Sequence, residues 1–446
     1  MAKSEASLDP TENSSQFKVK EDVELQEVPT KAEKHEDHSN NPWHPSQFPD
    51  GGREALLCLL GTFCCLFCSF GWLNCVGVFQ SYYQTHQLRE YSPSTVAWIS
   101  SCEIFVMFVP GPIVGFLYDN HGPRYLLLFG TFMHVFGLMM TSLCSKYYQF
   151  ILAQGICSPL GLNCIFTAAT SSVTTWFFKK RGAAYGIMAA GSGLGGIIFP
   201  IMVSHLIPEV GYAWTMRISG FLILGLLTVA LLTVRSRLPP RRRDFKLAHF
   251  LEPFKDRRWT FLAGASFLFF MGMFIPINFI EVQSLANGMS QKMASYLIPI
   301  LNATSIFGRI VPGILADKLG RFNMQIFMSF LSGILVLALW LPSSSNVAFI
   351  TFSAFYGFSS GAFVSLAPAQ TAYISKVELI GIRTGMLFAL ISFAGLAGSP
   401  IAGAIVTREH GGFHELQAFT GVMMLAGAAM FVVTRIVVGG MKFARI

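Results

Sequence analysis

"KKRGAAYGIMAAGSGLGG", Lys179–Gly196, holds Gly191, Gly193 and Gly196 at the spacing G-x-G-x-x-G. Such a triplet serves either a loop that cradles a nucleotide or a helix that needs close neighbours. A dinucleotide loop follows a soluble strand and precedes an acidic residue about 20 positions on. Here "WFFKKR" precedes the glycines, and the region near residue 216 reads "WTMRI" with no acid. Gly182 and Gly186 are four residues apart, as are Gly191 and Gly195. That spacing puts small residues on one helix face, where a second helix approaches closely. The stretch therefore reads as a helix in an apolar run, packing and sliding against a neighbour.

The surroundings agree. The chain of 446 residues is 52% hydrophobic and 13% charged, with a mean hydropathy of +0.52; soluble domains carry about 25% charged residues. A membrane helix needs about 20 mostly apolar residues, and roughly twelve such runs lie between Glu54 and Val438. The fifth covers Gly182–Ile207 and the sixth Tyr212–Val234. The expectation is an all-α membrane protein of twelve transmembrane helices. It divides into a disordered cytosolic N-terminal tail (1–52), a six-helix half (53–235), a basic central loop (236–258), a second six-helix half (259–440) and a short cytosolic tail (441–446). The first 50 residues are polar, mixed in charge and poor in aromatics, too little to bury a core.

The net charge of +8 suggests nucleic acid only until its placement is considered. Arg235, Arg237, Arg241, Arg242, Arg243, Lys246, Lys255, Arg257 and Arg258 cluster between spans six and seven, and Lys179, Lys180 and Arg181 between four and five. Loops on the opposite side hold only Arg89, Lys146, Lys292 and Arg408. This is the positive-inside bias, which puts both termini in the cytosol; the partners expected are the bilayer and a small molecule, not nucleic acid. The nine cysteines lie in or beside the first four spans, and Cys64, Cys65 and Cys68 have no His or acidic ligand near them. Packing as small hydrophobes is the expectation, with no metal and no cofactor.

The chain repeats itself. Gly115, Asp119 and Gly122 return as Gly313, Asp317 and Gly320, 198 residues later, with Arg124 and Arg321 just after each set. Gly195 and Pro200 return as Gly395 and Pro400, 200 residues later. Internal repeats of this kind mark secondary transporters, whose halves rock about a central site. Asp119 with Arg124, and Asp317 with Arg321, stand at the cytosolic span ends. They are expected to form a gate that pairs across the halves and breaks when the inner side opens.

Ionisable residues within spans are the site candidates. A central arginine costs about 3 kcal/mol on insertion scales. Arg309 lies deep in the eighth span and reads as a substrate or coupling group, able to hold a carboxylate by two parallel bonds, or as half of a structural pair. Glu103, in the second span, reads either as a group that takes up a proton or as a protonated interhelical hydrogen-bond donor. Phe363 belongs to a crowd with Phe355, Tyr356 and Phe358 in the tenth span, suited to stacking on a cyclic substrate or to packing. The sequon at Asn302 lies inside a span and is not expected to carry sugar.

At these residues the sequence resembles the major facilitator superfamily and, more narrowly, its monocarboxylate porter family in the fungal branch. "PDGG" (Pro49–Gly52), "WFFKKRGAAYGIMAAGSGLGG" (Trp176–Gly196), "GFLYDNHGPR" (Gly115–Arg124) and "GILADKLGR" (Gly313–Arg321) carry the resemblance. It implies twelve helices, alternating access and often proton-coupled transport of an organic acid. In such porters a first-span lysine and an eighth-span Asp–Arg pair handle substrate and proton. Arg309 falls at the arginine position, Ser305 at that of the acid and Asn74 at that of the lysine. These departures suit members that move other compounds, including exporters of specialised metabolites.

The reading is a secondary transporter of a small organic molecule, an organic acid or specialised metabolite, in the plasma membrane and with protons as a coupling partner. The alternatives are a monocarboxylate or nutrient importer and a non-transporting nutrient receptor. No cluster of acids or histidines at one membrane face suggests an enzyme, and no G-x-x-x-x-G-K-[ST] loop suggests an ATP-driven pump.

Overall fold

In a bilayer every backbone N–H and C=O must be satisfied within the protein, which leaves helices as the solution for apolar runs of this length. The computed structural model describes residues 47–239 and 248–441. Eleven helical runs among them are long and apolar enough to cross a membrane. One, Arg181–Thr233, has 53 residues; at 1.5 Å per residue it is more than twice as long as a hydrocarbon core of ~30 Å. It breaks at Gly211, whose φ of 79° and ψ of 162° are not helical. The break falls in the gap expected between spans five and six.

The twelve spans are α1 (Arg53–Thr85), α2 (Thr95–His121), α3 (Pro123–Thr141), α4 (Tyr147–Trp176), α5 (residues 181–210), α6 (residues 212–233), α7 (Arg257–Ala286), α8 (Gln291–Leu319), α9 (Arg321–Trp340), α10 (Asn346–Tyr373), α11 (Val377–Arg408) and α12 (His414–Gly439). They form two six-helix halves. Within these, α1 packs on α5, α3 on α4, α7 on α12 and α8 on α10. Large apolar side chains such as Phe132, Leu232 and Phe327 point outward, a surface that suits lipid and not water.

Two seams join the halves: α5 against α8, and α11 against α2. Close backbone approach makes them. A Cβ on Gly186 of α5 would lie 3.1 Å from Ile310 Cα of α8, and one on Gly111 of α2 would lie 2.8 Å from the Gly385 carbonyl oxygen of α11. The glycines of the opening stretch divide between two faces. Gly182 and Gly186 meet α8, as the sliding contact requires. Gly191 and Gly195 instead meet Phe63, Phe67 and Gly71 of α1, inside the first half. Nine residues separate Gly182 from Gly191, two and a half turns, and that carries the second pair to the opposite face.

Prolines shape the spans unevenly. Pro112 and Pro276 lie in the first turn of a fresh helical segment inside α2 and α7, where a missing N–H costs little. Pro200, Pro312, Pro368 and Pro400 lie within continuous helix. The tail expected over 1–52 lies outside the described residues up to residue 46, as do 240–247 of the basic loop and 442–446. Residues 47–52 are not disordered: Phe48 is buried and Asp50 is hydrogen-bonded.

Candidate functional site

The α5–α8 seam holds the buried polar groups that face from one half to the other. Asn302 and Arg309 are seven residues apart, so both lie on the α8 face turned to α5. Arg309 is 7% exposed. Its Nη1 donates to the Ala189 carbonyl (3.1 Å) and to Ser192 Oγ (2.9 Å), both on α5. Among the described residues its buried Nε has no acceptor, and no carboxylate forms an ion pair with it. A buried guanidinium with a spare donor is suited to receive an anion or a carbonyl oxygen.

One layer further along α8, Asn302 Nδ2 donates to Asn74 Oδ1 of α1 at 3.2 Å, and Asn74 Nδ2 donates to the Phe70 carbonyl at 2.8 Å. The G-x-G-x-x-G stretch finds its use here. A Cβ on Gly193 would come within 2.8 Å of Arg309 Nη1, and one on Gly196 within 2.8 Å of Asn302 Cγ and 2.9 Å of Asn74 Nδ2. The two glycines leave room for the side chains of the site.

Aromatic rings join the halves at the other seam, α2 against α11. Phe108 of α2 stacks on Phe388 of α11 at 5.3 Å, Phe166 of α4 meets Phe388 edge-on at 4.9 Å, and Phe70 of α1 joins Phe108 at 5.5 Å. The expected Phe363 is not the ring that crosses between halves. It packs on Phe269 (5.3 Å) and Phe270 (6.1 Å) of α7 within its own half. Ser305 is likewise turned inward: its Oγ donates to the Asn302 carbonyl at 2.8 Å, and it lies against Gly361 of α10. Among the described residues it makes no hydrogen bond to the Arg309 guanidinium.

Glu103 is buried at 1% exposure, inside the first half. Its Oε2 accepts from Gln154 Nε2 (3.1 Å), Gln154 Oε1 accepts from the Tyr83 hydroxyl (2.6 Å), and that hydroxyl lies 2.8 Å from the hydroxyl of Tyr212. The four groups come from α2, α4, α1 and α6. Gln154 sits in the π-helical stretch Ile151–Cys157, a distortion frequent at functional sites. Glu103 Oε1 is buried with no donor. Among the described residues no hydrogen bond links Glu103 to Asn74 or Arg309.

At the end of the bundle where the basic loops lie, the two repeated aspartates reach across the halves. Asp317 of α8 accepts the Gly182 N–H (2.8 Å) and the Ala183 N–H (2.9 Å) at the start of α5. Asp119 of α2 accepts the Ile382 N–H (3.1 Å) near the start of α11. Unpaired N–H groups and the positive end of the helix dipole make each helix start an anion site. Arg321 pairs with Asp317 at 3.3 Å, as expected, and also donates to the Phe178 carbonyl at 3.1 Å. Arg124 is exposed, and Asp119 accepts the Ile382 amide of the other half. In each case a helix start of the opposite half donates to the aspartate.

A family model described as Major Facilitator Superfamily matches residues 61–381. The chain belongs to this superfamily. It is a transporter and a multi-pass membrane protein, not an enzyme. It is 54% identical over 400 residues to "MFS-type transporter 1" of Ophiocordyceps sp., covering 90% of this chain and 89% of that one. It is 45% identical to the fujikurins efflux protein of Gibberella fujikuroi (88% and 84% covered), and 42% identical to the aspyridones efflux protein apdF of Emericella nidulans (86% and 78% covered). In fold it is similar to the fucose:proton symporter FucP of E. coli, with a TM-score of 0.68 at 15% identity, covering 86% of this chain and 99% of that one. The human organic anion transporter MFSD10 gives a TM-score of 0.65 at 14% identity, with 87% and 100% covered.

Three parts of this superfamily member's site escape a reading of the sequence. Asn302 draws notice there only as a sequon, although its distance from Arg309 puts the two on one face. Gln154 is a neutral residue in an apolar run. Phe388 lies in a span with no other mark of function. For the last two, no signal in the linear chain would have found them.

Proposed function

We propose that this chain exports a specialised metabolite with an apolar, ring-bearing body and an acidic or carbonyl-rich head, by alternating access. One observation carries the reading: the buried Arg309 guanidinium, with a spare Nε and no carboxylate partner among the described residues, lies on the seam between the halves. The head would take Arg309 and the Asn74–Asn302 amides, and the body would lie against Phe108, Phe166 and Phe388. Relatives named as efflux proteins for fujikurins and aspyridones support export over uptake.

The basic end faces the cytosol under the positive-inside rule, both termini with it, and the membrane is the plasma membrane. Opening toward the cytosol breaks the Asp317 bonds to Gly182 and Ala183 and the Asp119 bond to Ile382; loading shifts the balance between the two states. Protons returning down their gradient drive the cycle, with Glu103 as the group that takes them up, apart from the substrate. Within the superfamily the sequence signatures favour the monocarboxylate porter branch. Neutral residues at Asn74 and Ser305 favour cargo other than small monocarboxylates.

The test compares a deletion strain with its parent by untargeted mass spectrometry of cells and medium. A compound that accumulates inside and falls outside, restored by the wild-type gene but not by Arg309→Ala, is the expected result. A medium component left unconsumed and scarce inside would overturn export.

A further inference from the structure

The "PDGG" stretch ahead of α1 takes no part in the site or the gate as described so far, yet it is tightly held. Asp50 Oδ1 accepts the Phe178 N–H (2.8 Å) and the Lys180 N–H (3.1 Å), and the Asp50 N–H donates to the Trp176 carbonyl (3.2 Å). Asp50 adopts a φ of 48°, a left-handed conformation that non-glycine residues rarely keep without a local bond to hold it. Next to it the Phe48 ring lies 5.5 Å from the Phe178 ring and 4.7 Å from the Arg237 guanidinium. The pre-helix segment is thus clamped onto the α4–α5 corner. From this corner α5 starts, and its Gly182 and Ala183 N–H groups bind Asp317 of the other half.

The second half has a counterpart. Asp256, just ahead of α7, accepts from Arg383 Nη2 at 2.8 Å and caps α7 through the Arg258 N–H at 3.1 Å. Arg383 Nη1 in turn donates to the Ile374 carbonyl (2.9 Å) and Ser375 Oγ (3.2 Å). This ties down the α10–α11 corner, from which Ile382 presents its N–H to Asp119. Each corner therefore carries two aspartates. One comes from its own half and shapes the turn; the other comes from the opposite half and binds the helix start the turn presents.

We infer that Asp50 and Asp256 are positioning residues of the gate: each holds its own corner in the shape that lets the other half's aspartate bind, so each clamp sets the side of the gate at its own corner. This accounts for the two signatures, Pro49–Gly52 and Trp176–Gly196, as a single structural unit. Neither residue touches the substrate seam, and the inference stands whichever cargo the transporter carries.

The test is hydrogen–deuterium exchange, read by mass spectrometry, on the full chain in lipid nanodiscs. With Asp50→Ala, exchange in peptides spanning 178–186 rises about tenfold, as loss of charge-assisted bonds at a helix start predicts, while 378–386 stays unchanged. With Asp256→Ala the pattern reverses. Asp50→Asn stays within about twofold of wild type, because the amide oxygen still accepts both N–H bonds and Asn tolerates the left-handed conformation. A rise at both corners alike in either alanine variant, unchanged exchange at 178–186 in Asp50→Ala, or Asp50→Asn matching Asp50→Ala would each overturn the inference.

Discussion

The two seams between the halves are repeats of each other, and they differ where it matters. Gly182 and Gly186 of α5 correspond to Gly381 and Gly385 of α11; Gly313 and Asp317 of α8 correspond to Gly115 and Asp119 of α2. Toward the basic end, glycine meets glycine and an aspartate binds a helix start in both seams. Midway along, the chemistry parts. Asn302, Ser305 and Arg309 of α8 stand where α2 has Ile104, Met107 and Gly111. Gly196 meets Asn302, whereas Gly395, its structural counterpart at the 199-residue offset that relates Gly186 to Gly385 (one less than the repeat in the sequence suggests), meets Ile104 at 3.3 Å. Close glycine packing is common to both seams, as alternating access requires; polarity belongs to one, as the proposed binding of cargo by Arg309 requires.

The comparison can be broken in order of expected effect. Arg309→Ala should lower efflux about 100-fold with normal amounts in the membrane, since a hydrogen bond to a charged group is worth about 1.5–3 kcal/mol. Flux near the wild-type rate would end the claim that the α8 seam reads the substrate. Gly186→Val and Gly385→Val should each cost about tenfold in flux, because overpacking costs about 1–3 kcal/mol. A large loss from one and none from the other would show that the seams do not close together.

Smaller effects sharpen the contrast. Asn302→Leu should raise KM about fivefold, in keeping with about 1 kcal/mol for a neutral hydrogen bond, while Ile104→Leu at the matching position changes KM less than about twofold. Equal shifts would remove Asn302 from the substrate layer. Glu103→Gln should flatten the dependence of efflux on external pH and leave KM for the metabolite unaltered, because its contacts lie wholly within the first half. An unchanged pH profile would take Glu103 out of coupling.

The smallest effect concerns the clamp of the second half. Burial pushes the Asp256 carboxyl up, but hydrogen bonds from Arg383 and Arg258 outweigh it and hold the group below its ordinary value. A carboxyl depressed in the folded state adds stability above its unfolded pKa of ~3.9 and loses it as pH falls through the lower folded value. Arg258 is exposed while Asp256 and Arg383 are partly buried, and for pairs at the protein surface the contribution is about 1 kcal/mol or less. Acid titration of thermal stability should therefore show a slightly steeper loss below about pH 4 in wild type than in Asp256→Asn.

Particular residues show how far linear reading reaches. Arg309 was legible because charge in an apolar run is conspicuous. Asp119 and Asp317 were legible because the repeat printed them twice. Phe363 and Ser305 were not: the first came from aromatic crowding, the second from family position, and neither kind of signal says which neighbour a side chain faces. Gly191 and Gly195 kept the right spacing for packing and met a different partner from Gly182 and Gly186, since spacing sets which face a residue occupies but not what lies against that face.

The sequence alone determined that the chain lives in a bilayer, crosses it twelve times and is built as two like halves. Composition, run length and repeat spacing are local or additive quantities, so no coordinates are needed to read them. Tertiary structure alone decided that Asn302 meets Asn74, that Gly193 leaves room for Arg309 and Gly196 for Asn302, that Glu103 bonds to Gln154 within the first half and that Asp50 holds the α4–α5 corner. Those contacts join residues from 51 to 228 positions apart. They depend on how helices rotate and lean on one another, which is the outcome of all the packing at once.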